Sequence, residues 1–522
     1  MNKRSAVSRF PGTGLVLSAL CIFASALFLA ACSEPPRTDL RTFVPAESLV
    51  YLETNDLAAA LQPVIDSKPM SELVATKADL SMLRGVQMAV AVTGFVASEE
   101  KINETQSVGR IRPRFVAVVD THKWNYQVEQ FVEQKLGSFV ETIYNSEPKL
   151  DKGTKNSGSY FKWTAEDGRT AFALVVNGII YFGNDETAID KCLAAKRGEI
   201  DSVAKLNKVP QIDEKVLAAG YVSTDGVAQI ANVISLQFAG EASDEAEVQS
   251  ALAGILPQII RGTITDVSWS QHESAAGIED TYQVGTPPDI ATAFSEAMKP
   301  SGSDDQGLAG SLRGDIQTAT SYDLKDPLTA WNTIVDRLKN ILDPRSKMMA
   351  DLIVPVLFEA YGIEKPSDFL ASAGPIIRTE SGGKDGDQHM VAAMVKDHDR
   401  LIAALANPQK GKAEDGDLAV RSSDGLVEFG SPELIAQIDA QPTGEDRFKS
   451  MLTVSKTATV RTISVSADDT AKVCDLLTTC IDKKKASAIS LTETSFNRSG
   501  VERRTISDLG LIGWIIGQLV EE

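Results

Sequence analysis

The chain is 522 residues long, too long for one ordinary hydrophobic core, and its 43% hydrophobic and 24% charged content excludes a disordered polymer. Its 71 acidic residues outnumber 52 basic ones, which disfavours nucleic-acid phosphates as a partner. Five cysteines are too few for a disulfide-stapled scaffold.

Lys3, Arg4 and Arg9 precede the apolar segment GLVLSALCIFASALFLAA, the charged start and apolar centre of an export signal. The segment ends in Leu29-Ala30-Ala31-Cys32, which resembles the lipobox of bacterial prolipoproteins. The resemblance implies cleavage before Cys32, a diacylglyceryl thioether on its sulfur, and acylation of the new amino terminus by palmitate or a similar chain. Two or more acyl chains anchor a protein stably where one does not. A retained transmembrane helix and a secretory peptide with an incidental cysteine are the other readings. Past Cys32 no apolar run reaches membrane-spanning length, so the body is expected to be tethered and not embedded. Losing Lys3, Arg4 and Arg9 leaves 49 basic against 71 acidic residues, a net charge of −22. The compact basic run Lys483–Lys485 reads as a solvated loop, and Ser33 after the anchor resembles the residue that sorts lipoproteins to an outer membrane.

Residues 32–40 read as a polar, proline-containing tether. FVPAESLVYLETNDLAAALQPVID then predicts a strand at Leu49 to Glu53, a cap at Asn55 or Asp56, and a helix with the stripe Leu57, Leu61, Val64 and Ile65. The same phrase returns in SYDLKDPLTAWNTIVD, where Asp56 matches Asp326 at an offset of 270. Five further pairs follow in the same order: Gly85 with Gly374, Asp120 with Asp397, NGIIYFG with DGLVEFG, Asp225 with Asp468, and Gly277 with Gly500. In the third pair an Asn177-Gly178 or Asp424-Gly425 turn closes a hairpin, Phe182 or Phe429 anchors the returning strand, and Asn184 and Ser431 are the expected helix caps. ETIYNSEP and GSYFKWTAEDGRT read as additional strands of the first copy, with an Asp167-Gly168 turn.

The prediction is therefore an α+β protein of two related domains, residues 41–298 and 312–522, each a mainly antiparallel sheet with packed helices, joined by a Gly/Ser/Asp-rich linker at 299–311. SDLGLIGWIIGQLVEE predicts a short apolar final helix, read as a core helix of the second domain or as a docking helix.

The search for chemistry selects no catalytic or metal site. His122, His272, His389 and His398 have no second histidine or cysteine at ligand spacing. Ser-x-x-Lys occurs at Ser98, Ser146, Ser159, Ser202 and Ser381, scattered through turn-like segments. Neither a phosphate loop, a dinucleotide fingerprint nor a calcium loop is complete, so no cofactor is expected. Cys192, Cys474 and Cys480 fit either buried small hydrophobes or, after export, a bridge between two of them.

FVPAESLVYLETNDLAAAL and GIEKPSDFLASAGPII resemble a bacterial family of exported proteins classed as a domain of unknown function, which begins with Pro-Ala, an acidic residue and Ser or Thr ahead of a strand. The resemblance implies an exported location and supplies no catalytic residue. The expected function is that of a lipid-anchored envelope protein, facing the periplasm or on the outer membrane, with a non-enzymatic role in binding a small ligand or an envelope protein, or in scaffolding. The alternative is an envelope hydrolase whose site is assembled from distant residues.

Overall fold

The computed structural model describes residues 37–74, 77–101, 107–144, 146–213, 215–242, 246–302, 308, 316–383, 386–406, 409–410, 418–423, 425–440, 458–466, 470–471, 473–474 and 487–518. The export signal with Cys32, Cys480, the Lys483–Lys485 run, Asp468 and most of the 299–311 linker lie outside these residues.

In chain order the strands are β1 (Val50–Thr54), β2 (Gln87–Lys101), β3 (Ser107–Asp120), β4 (Lys149–Lys155), β5 (Gly158–Thr164), β6 (Thr170–Val176), β7 (Ile179–Gly183), β8 (Val216–Val222), β9 (Asp266–Ser274) and β10 (Gly277–Gly285). They continue with β11 (Ile316–Tyr322), β12 (Ala373–Gly383), β13 (Gly386–Val395), β14 (Gln409–Lys410), β15 (Ala419–Ser423), β16 (Leu426–Gly430), β17 (Val460–Ser466), β18 (Ala488–Asn497) and β19 (Gly500–Ser507). The helices used below are α1 (Leu57–Asp66), α2 (Asn125–Phe131), α3 (Gly137–Tyr144), α4 (Glu186–Lys196), α5 (Pro288–Ala297), α6 (Pro327–Ile341), α7 (His398–Ile402), α8 (Pro432–Ala440) and α9 (Gly510–Gln518).

All the strands belong to one sheet, ordered β4-β5-β6-β7-β3-β2-β1-β8-β9-β10-β19-β18-β17-β11-β12-β13-β16-β15-β14. Every neighbouring pair is antiparallel except β14 with β15. The expected α+β class with a large antiparallel sheet is what forms; the strands of the two stretches, however, are hydrogen-bonded into a single continuous sheet.

The join is β10 against β19. Read outward from it, one side runs β10, β9, β8, β1, β2, β3, β7, β6 and the other β19, β18, β17, β11, β12, β13, β16, β15. Both sides follow the same sequence of early and late strands. Along the join, Thr281 pairs with Arg504, while Ile278 pairs with Ser507 and Val284 with Val501. Shifting by the 223 residues that separate Gly277 from Gly500 exchanges the last two pairs and leaves the first in place. The hairpin glycines agree too, with φ +133° at Gly277 and +138° at Gly500.

Helices cover both faces. On one, α1, α2 and α3 bury Leu57, Val64, Val128 and Phe139 against Met88, Val90, Phe115 and Phe182. On the other, α4 packs Ile189, Cys192 and Leu193 against Val116, Val118 and Tyr181. The alternation of β3 explains this, since Phe115, Ala117 and Val119 face one layer and Val116 and Val118 the other. In the second stretch Phe369, Val391, Val427 and Phe429 form the equivalent core. Its aromatic centre is the edge-on pair Phe369 and Phe429, with ring centroids 5.7 Å apart.

Local predictions mostly stand. Asp56 caps α1 by accepting from the Ala59 N–H, and Asp326 caps α6 by accepting from the Thr329 N–H, both at 3.0 Å. The Asn177-Gly178 turn has φ +52° and +79°, as a two-residue hairpin turn requires. GSYFKWT is β5, but ETIY is the end of α3 and not a strand, and Asn145 after it lies outside the described residues.

The final helix α9 differs from expectation in its location. It packs on α1 and β10, elements of the other stretch. Leu509 and Ile516 join the cluster of Leu57, Val64 and Trp163, and a Cβ on Gly513 would stand 3.2 Å from Val64 Cγ1. In return α5, which follows β10, packs on α6, β18 and β19. Each stretch thus contributes the helix after its last strand to its neighbour.

Candidate functional site

That exchange creates two corresponding grooves of opposite character. Between α9 and α1 the groove is narrowed by Leu52, Leu57, Val90, Trp269, Ile512 and Ile515, with Glu53 in its wall, leaving about 60 Å³ of mainly apolar space. Between α5 and α6 it is open and polar. Two adjoining depressions there share Glu296, Ala297 and Thr329; one of ≈ 420 Å³ extends to Lys299, Lys325, Asp326 and Lys396, the other of ≈ 550 Å³ to Asp289, Thr333 and Arg337. Sequence explains the contrast, since α9 reads GLIGWIIGQ and α5 reads PDIATAFSEA.

The groove's walls are fixed. Ile290 and Ala291 bury the inner side of α5, and the Thr459 hydroxyl donates to Met298 O at 2.8 Å, binding the end of that helix to β17. Asp326 is spent on capping α6, and the two hydrogen bonds from Thr329 hold its carboxyl below the ordinary carboxylate range. The three lysines are exposed, two of them, Lys299 and Lys325, flanking one another through the Lys325 N–H, which donates to Lys299 O at 3.0 Å.

The histidines are not brought together. His122 and His398 follow β3 and β13, which the sheet order separates by the whole β2-to-β12 series. His122 sits at φ +53° with Nδ1 3.4 Å from Asp120 Oδ1. His398 is exposed in the first turn of α7, with Nε2 3.3 Å from Ser422 Oγ. His272 pairs with Val216 and Glu279 inside the sheet. His389 stands edge-on to Tyr361 at 5.1 Å, and burial lowers its pKa. Among the described residues no three His, Cys, Asp or Glu side chains converge as metal ligands.

The Ser-x-x-Lys matches at Ser146, Ser159 and Ser202 dissolve as well, while those at Ser98 and Ser381 fall partly outside the described residues. Lys149 pairs with Asp151 and Lys205 with Asp201, Lys162 lies over the Phe172 ring, and Ser159 donates to Glu129 at 2.7 Å. Cys192 keeps a free, buried thiol whose pKa burial pushes up. Cys474 is disulfide-bonded, so of the two readings of the cysteines each holds for one residue.

Sequence reasoning missed two buried carboxylates. Glu53, on β1, accepts from the Tyr51 hydroxyl at 2.7 Å and is 6% exposed. Burial raises its pKa from 4.5 to about 7, against the lowering effect of the Tyr51 hydrogen bond and of Arg41. Asp280, on β10, accepts from Trp269 Nε1 at 2.9 Å and from the Leu511 N–H at 2.8 Å, and burial raises its pKa also. The signal was available in principle, for an acidic residue inside an apolar strand, as in VYLET, breaks the pattern. Asp280 is structural, because it fastens the first turn of α9 to the join.

Because the native state holds the Glu53 proton between pH 4.5 and about 7 and the unfolded chain does not, stability falls as pH rises through that window and is level above it. The full loss is at most ~3 kcal/mol. Glu53→Gln is expected to flatten this slope, so that urea midpoints of variant and parent agree at pH 4 and the variant is the more stable at pH 8. Parallel curves over the whole range would show that Glu53 does not titrate in this way.

Comparison of the chain with protein-family models, with curated proteins and with solved structures gave no match.

Proposed function

We propose that this is a lipid-anchored protein of the bacterial cell envelope, exported by residues 1–31 and acylated on Cys32, whose body has a binding role without catalysis. The reading takes residues 41–298 and 312–522 as the products of an internal duplication. What supports it is the shared order of strands on both sides of the join, the matched caps Asp56 and Asp326, and the exchange of α5 for α9. The resemblance of FVPAESLVYLETNDLAAAL to an exported family of unknown function agrees with the location.

The single observation that carries the binding role is the open α5–α6 groove. It lies where the two related units meet, a common place for ligand sites. Its twin is filled by apolar side chains, whereas this one keeps three exposed lysines at one end and Asp289 with Arg337 at the other. A surface bearing both signs of charge fits a partner protein better than a single anion. The hydrolase alternative has the buried Glu53 and Asp280, but Glu53 is bonded to Tyr51 in the wall of a pocket of only about 60 Å³ and Asp280 is engaged by Trp269 and Leu511.

A photo-crosslinking residue at Thr333, compared with one at exposed Lys205, tests the reading in intact cells. A defined adduct from position 333 alone is expected. No adduct, or the same adducts from both positions, would sink the groove as the binding surface.

A further inference from the structure

We infer that the rim carrying Trp124 and Tyr126 rests in the membrane–water interface beside the anchor. Among the large hydrophobic side chains of the described residues, Trp124 at 75% and Tyr126 at 67% are the most exposed, and only Asn125 separates them. Both combine an apolar ring with a polar tip, the chemistry enriched where a bilayer meets water.

The position follows from where the chain enters the fold. The Thr38 N–H donates to Gln87 Oε1 at 2.8 Å, Gln87 Nε2 donates to Thr38 O at 2.9 Å, and the Thr38 hydroxyl donates to Asp120 Oδ2 at 2.6 Å. Gln87 and Asp120 are a registered pair at one end of β2 and β3. The tether is therefore clamped to the end of the strand from which the aromatic loop departs. Cys32 and Thr38 are six residues apart in sequence, and such a stretch spans at most ~20 Å. Lipid on Cys32 would hold this rim, and not the far end of the sheet, against the bilayer.

The aromatics are presented rigidly. The His122 N–H donates to Asp120 Oδ1 at 2.9 Å, the Trp124 N–H to Gln127 Oε1, and the Gly178 N–H to Asn125 Oδ1. A Cβ on Gly178 would lie 2.8 Å from Lys123 O, so the β6–β7 turn seats the loop closely. Such a contact also has a use, because a body of net charge −22 is repelled by anionic headgroups and needs an apolar hold to keep an orientation.

The inference rests on acylation at Cys32, and the test separates the two. Full-length protein is purified from membranes, its amino-terminal peptide is weighed by mass spectrometry, and it is reconstituted into phosphatidylethanolamine–phosphatidylglycerol vesicles with brominated acyl chains. Bromolipid is expected to quench the parent about twofold more than Trp124→Phe, as for a tryptophan at interface depth. Trp124→Phe keeps an apolar ring at an exposed position and leaves the fold intact. Acylated protein quenched equally in parent and variant, or quenching lost only with Trp514→Phe, would overturn this inference and leave the anchor standing. An unmodified Cys32 would overturn both.

Discussion

Gly183→Ala and Gly430→Ala are each expected to destabilise the protein by ~3 kcal/mol or more. These glycines close the doubled phrase, and in both copies the missing side chain is what lets two strands meet. A Cβ on Gly183 would stand 2.2 Å from Phe115 O, and one on Gly430 would stand 2.3 Å from His389 O. Those neighbours are backbone atoms of β3 and β13 and cannot swing aside. Gly430 also sits at φ +150°, where an L residue is strained. The neighbouring residues show why the approach must be close: Asn184 Oδ1 accepts from the Phe115 N–H at 2.9 Å, and Ser431 Oγ from the His389 N–H at 3.2 Å. Urea denaturation followed by circular dichroism measures the effect. A midpoint change worth under ~0.5 kcal/mol in either variant would mean that the strands do not pack this way.

Ile516→Asp should cost ~4 kcal/mol or more, and the damage should appear first in the amino-terminal stretch. Ile516 is fully buried, and its neighbours in the core are Leu57, Val64 and Leu509. A carboxylate there must remain charged in an apolar layer or take up a proton, and either course is unfavourable. Hydrogen exchange resolves the location. Protection should fall in α1 and β1 while β12 and β13, which pack around Phe369 and Phe429, keep theirs. Loss confined to residues after 312 would contradict the exchange of helices.

The exchange also bears on how the chain can be divided. Cutting between the two stretches would strand α9 from the core it completes and α5 from the surface it covers. It would also open the β10–β19 ladder and part Arg504 from Glu279, 2.6 Å away. Free hydrogen-bonding edges of that length are prone to pair with other chains. The outermost long edge, β4, carries KLDKGTK, whose lysines discourage such pairing.

Several features were legible in the sequence because they depend on neighbours a few residues away. A short polar residue before an apolar stripe is suited to cap a helix, so the first cap could be narrowed to Asn55 or Asp56; Asp56 takes it, as Asp326 does at the matching place. The Asn177-Gly178 turn and the buried Phe182 and Phe429 follow from alternation and turn chemistry in the same way. The expected cap at Asn184 needed revision, whereas Ser431 does stand immediately before α8, its carbonyl accepting from the Ile435 N–H at 3.1 Å. Asp185 caps α4, and the Asn184 side chain is drawn off to β3. A local rule cannot foresee a competing partner from a distant strand.

The pairing of Asp120 with Asp397 shows the same limit. By the ladders, Asp120 opposes Ile179 and Met394 opposes Leu426, so the position equivalent to Asp120 is Met394, three residues before Asp397. The two aspartates look alike because each stands where a strand ends, yet Asp120 accepts from the Thr38 hydroxyl and Asp397 caps α7. Similar letters serve different partners.

By itself, then, the sequence made legible the composition class, most of the strands and helices with their caps and turns, and the likeness of phrases in the two stretches, because periodicity, capping and turn chemistry act over a few residues. Tertiary structure alone decided that one sheet runs through both stretches, that α5 and α9 change places, that Glu53 is buried, and that one groove stays open. Each of these depends on contacts between residues far apart in the chain, where backbone hydrogen bonds and burial choose among many pairings that the local pattern allows equally.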